Sequence, residues 1–79
     1  MTDAFVNVVV DPGAVRQAAR TIGGMDQVGR VNLVTGQYDI VAQLELDDAE
    51  NLPAVVAQDI HDVTGVIDTV TNVAYAVDS

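Results

Sequence analysis

The chain has no cysteine, no lysine and no tryptophan, only two prolines, and aromatic residues at just 4%. Without cysteine it has neither a disulfide framework nor thiolate chemistry. No apolar run approaches the ~18 residues that a membrane-crossing helix requires. No charged leader precedes an apolar segment, so no signal peptide is expected, and a cytoplasmic location is the expectation. With no lysine, three arginines stand against twelve acids, a net charge of −9. That leaves no basic stripe for nucleic acid, and direct DNA binding by this chain alone is not expected. One histidine and no cysteine supply few nucleophile–base pairs, which argues against an enzyme. The glycines at 13, 23, 24, 29, 36 and 65 read as punctuation and form no phosphate cradle. No cofactor or metal is expected.

Against these absences stands a rich aliphatic content. Hydrophobic residues make up 49% of 79 positions, and they are Val, Ala, Ile and Leu rather than large rings. This length predicts one domain over 1–79. A domain so small is marginal alone, and oligomerisation is the usual help. The acids are spread along the chain and do not form a tail. Asp preference, missing Lys and abundant Val and Ala together resemble haloarchaeal proteins. At about 1 M salt the Debye length is ~3 Å, so the self-repulsion of such a chain is screened.

Residues 4–10, "AFVNVVV", are apolar on both alternating sets except at Asn7, as in a strand buried on two faces. Asp11 is a good helix cap and Pro12 suits a first helical position. Val15, Ala18, Ala19 and Ile22 recur at helical spacing, Arg16 and Arg20 fall on the opposite flank, and Gly23–Gly24 closes the helix. A strand is expected over 27–35 and another over 38–46, with Ile40, Ala42, Leu44 and Leu46 on one face and Val41, Gln43 and Glu45 on the other. Pro53 favours a second helix that starts late in the 48–51 window, because proline costs ~3 kcal/mol in a helix interior. Its stripe is Leu52, Val55, Val56, Ile60 and Val63; Gly65 ends it, and a last strand runs from about 67 to 77.

The order β-α-β-β-α-β predicts an α+β ferredoxin-like sandwich, a four-stranded antiparallel sheet with two helices on one face. The helices cover one face only. The other is expected to carry many Val, Ile and Ala, an apolar surface that a second copy of the chain would cover, giving a face-to-face homodimer. His61, near the second helix's end beside Asp59 and Asp62, has no second His at ligand spacing and reads as a surface imidazole.

The stretches "PGAVRQAARTIGGMDQVGRVNLVTGQYDIVAQLELDDAENL" and "GVIDTVTNVAYAV" resemble the effector-binding (RAM) domain of Lrp/AsnC-type regulators over essentially the whole chain. The most specific part is "VTGQYD", which matches a family hairpin carrying T-G-x-[YFW]-D. "TVT" at 69–71 matches the family's Thr-x-Thr, although Asp68 stands where a basic residue is common. The resemblance implies amino-acid sensing in pockets between dimers of a larger ring, usually an octamer. Carried over, it places Thr35, Gly36, Tyr38 and Asp39 of the hairpin and Thr69 and Thr71 of a nearby strand in the pocket. The chemistry is coherent: Asp39 would take the effector's ammonium, while Thr hydroxyls and the Gly36 turn N–H would donate to its carboxylate. The same residues also suit structure alone. Gly36 and Asp39 are what a hairpin turn selects, the threonines are ordinary strand residues, and Tyr38 can simply pack at a sheet end. The family's helix-turn-helix is not seen in these residues, so the chain resembles a stand-alone version of the domain. It would act as a sensor subunit or co-assemble with full-length regulators.

Two other readings share the fold. A small enzyme of the dimeric α/β-barrel type would need a polar cavity between sheets, for which Asn7, Asn32 and Asn72 are the best candidates. An ACT-type sensor also binds amino acids, but "VTGQYD" does not belong to it.

Overall fold

A computed structural model describes residues 2–45 and 52–75. The strands are β1 (Thr2–Val10), β2 (Val28–Leu33), β3 (Ile40–Leu44) and β4 (Val66–Tyr75); the helices are α1 (Val15–Gly23) and α2 (Leu52–His61). The sheet order is β2-β3-β1-β4, with all three pairings antiparallel, so β1 and β3 are interior and β2 and β4 are edges. This is the expected ferredoxin-like sandwich.

Alternation along the interior strands places the core. Ala4, Val6, Val8 and Val10 of β1 and Ile40, Ala42 and Leu44 of β3 are buried on the helix side. They pack with Ala18 and Ile22 of α1 and with Val56 and Ile60 of α2, while Val15, Ala19 and Val63 lie partly buried around them. The helical stripes therefore fall where their spacing puts them. Leu46 and the side chains of Leu52 and Val55 lie outside the described residues, as do positions 76 and 77 of the expected last strand.

Several boundaries differ from expectation for local reasons. Asp11 caps a short 3-10 turn, Pro12–Ala14, its carboxylate accepting from Gly13 N–H at 3.0 Å, and α1 proper begins only at Val15. Gly24 closes α1 with an ordinary right-handed φ of −84°, so that stop needs no left-handed residue. Gly65 does: its φ is +95°, and a Cβ there would lie 2.5 Å from Ala14 Cβ. It follows α2 by several residues and sets the entry to β4, where Asp11 N–H donates to its carbonyl at 2.9 Å. β2 is shorter than the expected 27–35, ending at Leu33 where the chain enters the hairpin turn; within it the register slips between Val28 and Arg30, leaving Gly29 beneath the Glu45 side chain. A second slip, between Val9 and Val10, leaves Ile67 of β4 unmatched and 60% exposed.

The face away from the helices is less apolar than the Val-rich strands suggest. The paired residues form rows across the sheet in strand order: Asn32, Val41, Asn7 and Val70 make one, and Arg30, Gln43, Phe5 and Asn72 the next. Val9 sits opposite Asp68 beyond them. Valines and one phenylalanine thus share this face with four side-chain amides and Arg30, a pattern hidden in the sequence because each strand contributes only part of it.

Candidate functional site

The hairpin between β2 and β3 carries Thr35, Gly36, Tyr38 and Asp39. Thr35 and Gly36 are exposed; Tyr38 and Asp39 are half-buried. Gly36 has φ +118°, in the region that favours glycine, and a Cβ there would meet nothing within 4 Å. The turn therefore needs glycine for its backbone, and the space beside it is open to an incoming group.

Asp39 is tied into the fold. Its N–H donates to Val8 carbonyl at 2.9 Å, and its carbonyl accepts from Val34 N–H at 2.9 Å. Its carboxylate Oδ2 accepts from Val10 N–H at 2.8 Å. At this level the hairpin turns away from β1, and the side chain supplies the acceptor that the β3 backbone would otherwise give. A partly buried N–H is satisfied in this way by a charged group, one of the stronger kinds of hydrogen bond. Asp39 thus has a structural task that its local sequence does not reveal, carried by Oδ2.

Thr69 and Thr71 lie on β4 opposite Val8 and Val6, on the helix side of the sheet, both half-buried. Thr69 stands level with the base of the hairpin, since Leu33, Ile40, Val8 and Thr69 form one row. β1 runs between β3 and β4, so the hairpin and the threonines are two strand spacings apart, roughly 10 Å. The structure thus places the hairpin four together and the two threonines together, and β1 separates the groups within one chain.

The remaining polar candidates do not converge. His61 is exposed as the last residue of α2, and Asp59 and Asp62 are exposed near it. No group of three or more His, Cys, Asp or Glu suited to a metal occurs among the described residues. No described helix is long and apolar enough to cross a membrane. Asn7, Asn32 and Asn72 do share the open face, but no carboxylate, histidine or second reactive group accompanies them in the two central rows.

Comparison with known proteins adds to this geometry. Residues 3–77 match the family described as the Lrp/AsnC ligand binding domain. An uncharacterized HTH-type transcriptional regulator of Pyrococcus horikoshii, PH1916, is 30% identical over 77 residues, covering 94% of this chain and 51% of that protein. The chain therefore spans about half the length of the curated relatives it matches. A solved structure of TTHA0845 from Thermus thermophilus superposes with a TM-score of 0.86 at 37% identity, covering 100% of this chain and 99% of that one. The transcriptional regulator NMB0573 of Neisseria meningitidis, solved as an L-Met complex, shares the fold with a TM-score of 0.77 at 19% identity, over 95% of this chain and 50% of that one.

Proposed function

The chain belongs to the Lrp/AsnC ligand-binding family, and from that premise we propose that it senses an amino acid at an interface between copies of itself. Regulatory ligand binding, not catalysis, is the family's business. The finer claims are that the effector is an amino acid and that its site draws on two chains.

The observation that carries this reading is the separation of the two residue groups. Asp39 is the anionic group for an ammonium, and the Gly36 turn offers open space and a backbone N–H for a carboxylate. Thr69 and Thr71 are the hydroxyl donors, yet β1 stands between them and the hairpin. A pocket that uses both groups is most simply completed by a neighbouring copy's residues. Assembly through the open sheet face gives the dimer, and further contacts give a ring such as an octamer. That a related fold was solved with L-Met supports an α-amino acid as the class of ligand. The same surfaces would allow mixed assembly with full-length regulators of the family, and regulation would then pass through those partners.

Complementation tests the shared site. Asp39→Asn and the double change Thr69→Val with Thr71→Val each remove one half of the pocket. In calorimetric titrations each variant alone is expected to lose amino-acid binding. Unfolded together and refolded as a mixture, they should regain part of the parent's sites, because some interfaces then pair an intact hairpin with intact threonines. A mixture that binds no better than either variant would place the two halves in one chain, or outside the site altogether.

A further inference from the structure

The segments that carry the proposed pocket are charged in one sense only, and that selects a class of effector. This inference rests on the amino-acid site proposed above and goes beyond it to the side chain that the site reads. The hairpin over 34–39 and strand β4 hold one charged residue each, Asp39 and Asp68, and both are acids. Neither segment holds an arginine. Arg16 and Arg20 are exposed on α1, and Arg30 lies on β2, three strand spacings from β4 or roughly 14 Å. A site built from these two segments meets its ligand with two carboxylates and no cation of its own.

The two acids meet different ends of an amino acid. The α-ammonium and the α-carboxylate hang on one carbon, so whatever holds one must lie beside whatever holds the other. The hairpin offers both: Asp39 for the ammonium and the open Gly36 turn for the carboxylate. The threonine half then faces the effector's side chain. Val8 carbonyl accepts from Asp39 N–H, so Val8 turns its backbone toward β3. Thr69, paired opposite Val8, therefore turns its own N–H to the open edge of the sheet. An edge N–H of this kind is a natural donor to an incoming carboxylate. Here Asp68 Oδ1 already accepts it, at 2.9 Å. That bond fixes the Asp68 carboxylate within roughly 6 Å of the Thr69 hydroxyl, because N and Oγ1 of one threonine are about 3 Å apart. At such a distance a cation is attracted and a second anion is repelled. Ile67 adjoins Asp68 and is 60% exposed, an apolar surface for the methylenes of a long side chain.

We propose that the effector is a basic amino acid of the lysine or arginine kind, with Asp68 as the residue that selects it. Its α-carbon end sits at the hairpin of one copy, and its cationic side chain reaches the β4 strand of a neighbour. There Asp68 supplies the counter-charge, and the Thr69 and Thr71 hydroxyls, which accept as well as donate, take the remaining N–H groups. The same carboxylate excludes acidic side chains by repulsion, so selection works against the wrong ligand as well as for the right one.

Matched ligands test the selection. L-Lysine, L-norleucine (the same chain without the ammonium) and L-glutamate are titrated calorimetrically into the parent, Asp68→Asn and Asp68→Lys. The salt is the lowest at which circular dichroism shows the fold intact, so that charge contacts are not fully screened. The parent is expected to bind lysine at least about tenfold more tightly than norleucine, and glutamate least. Asp68→Asn keeps an oxygen acceptor for Thr69 N–H; norleucine binding should hold while the advantage of lysine disappears. Asp68→Lys should place glutamate above lysine. A charge at position 68 also discourages strand pairing at the open edge, and lysine does this equally well. Edge protection alone therefore predicts no change of order. A parent that prefers norleucine or glutamate overturns the inference and leaves amino-acid sensing standing, as does either variant retaining the parent's preference for lysine. A parent that binds neither these three nor any other proteinogenic amino acid removes the sensing reading, and this inference with it.

Discussion

Replacing Asp39 by alanine is expected to destabilise the fold before any ligand is considered. The Asp39 Oδ2 accepts from Val10 N–H at 2.8 Å in a partly buried setting. A hydrogen bond to a charged group contributes ~1.5–3 kcal/mol, and partial exposure favours the lower half of that range, so about 2 kcal/mol is at stake. For a domain of this size each kcal/mol corresponds to roughly 4–8 °C in Tm, which makes the expected fall about 10 °C. Asp39→Asn keeps an oxygen acceptor in place but removes its charge. Charge-assisted bonds are about twice as strong as neutral ones, so roughly half of the loss should be recovered. Thermal unfolding of parent, Asp39→Ala and Asp39→Asn at one fixed protomer concentration and without amino acid tests this ordering. Equal Tm values for all three would refute it, and the carboxylate would then have no part in holding the end of β1. The distinction also matters for ligand studies. Asp39→Ala mixes a full fold defect with a lost counter-charge, whereas Asp39→Asn removes the counter-charge with about half of that defect.

The two left-handed glycines should respond differently to alanine. At Gly36, where a Cβ meets nothing within 4 Å, only backbone strain is added, about 1–3 kcal/mol. At Gly65, where a Cβ would press on Ala14, overpacking adds to the strain, for about 4 kcal/mol in all; equal losses in urea unfolding would mean that the Ala14 contact is unimportant. Net charge −9 predicts a Tm that falls when molar KCl is diluted to about 0.1 M, as screening is withdrawn. A Tm that holds or rises would show that carboxylate repulsion does not limit this fold.

Most of the architecture was legible along the chain. The stripe of Val15, Ala18, Ala19 and Ile22 and the alternation of Ile40, Ala42 and Leu44 each encode which face is buried, because side-chain direction follows directly from helical and strand periodicity. What periodicity cannot carry is pairing between strands distant in sequence. The register slips at Gly29 and near Val10 arise only when strands meet, and the second of them sets Ile67 apart. The Asn32–Val41–Asn7–Val70 row has the same origin, since its members come from four strands. For the candidate site, Thr35, Gly36, Tyr38 and Asp39 are legible through the family resemblance, whose T-G-x-[YFW]-D motif lies in one short stretch of the chain. That β1 separates Thr69 and Thr71 from them follows from strand order, a tertiary property. The bond from Val10 N–H to Asp39 spans 29 positions and left no local signal.

Binding itself is the most direct test of the account. Each proteinogenic amino acid would be titrated calorimetrically into the parent in molar KCl, with Asp39→Asn beside it after its folding and assembly have been verified. The account predicts saturable binding of at least one amino acid to the parent and loss of that binding in the variant. If no amino acid binds the parent, or if Asp39→Asn binds as the parent does, Asp39 is a residue of the turn alone and the proposed pocket is wrong.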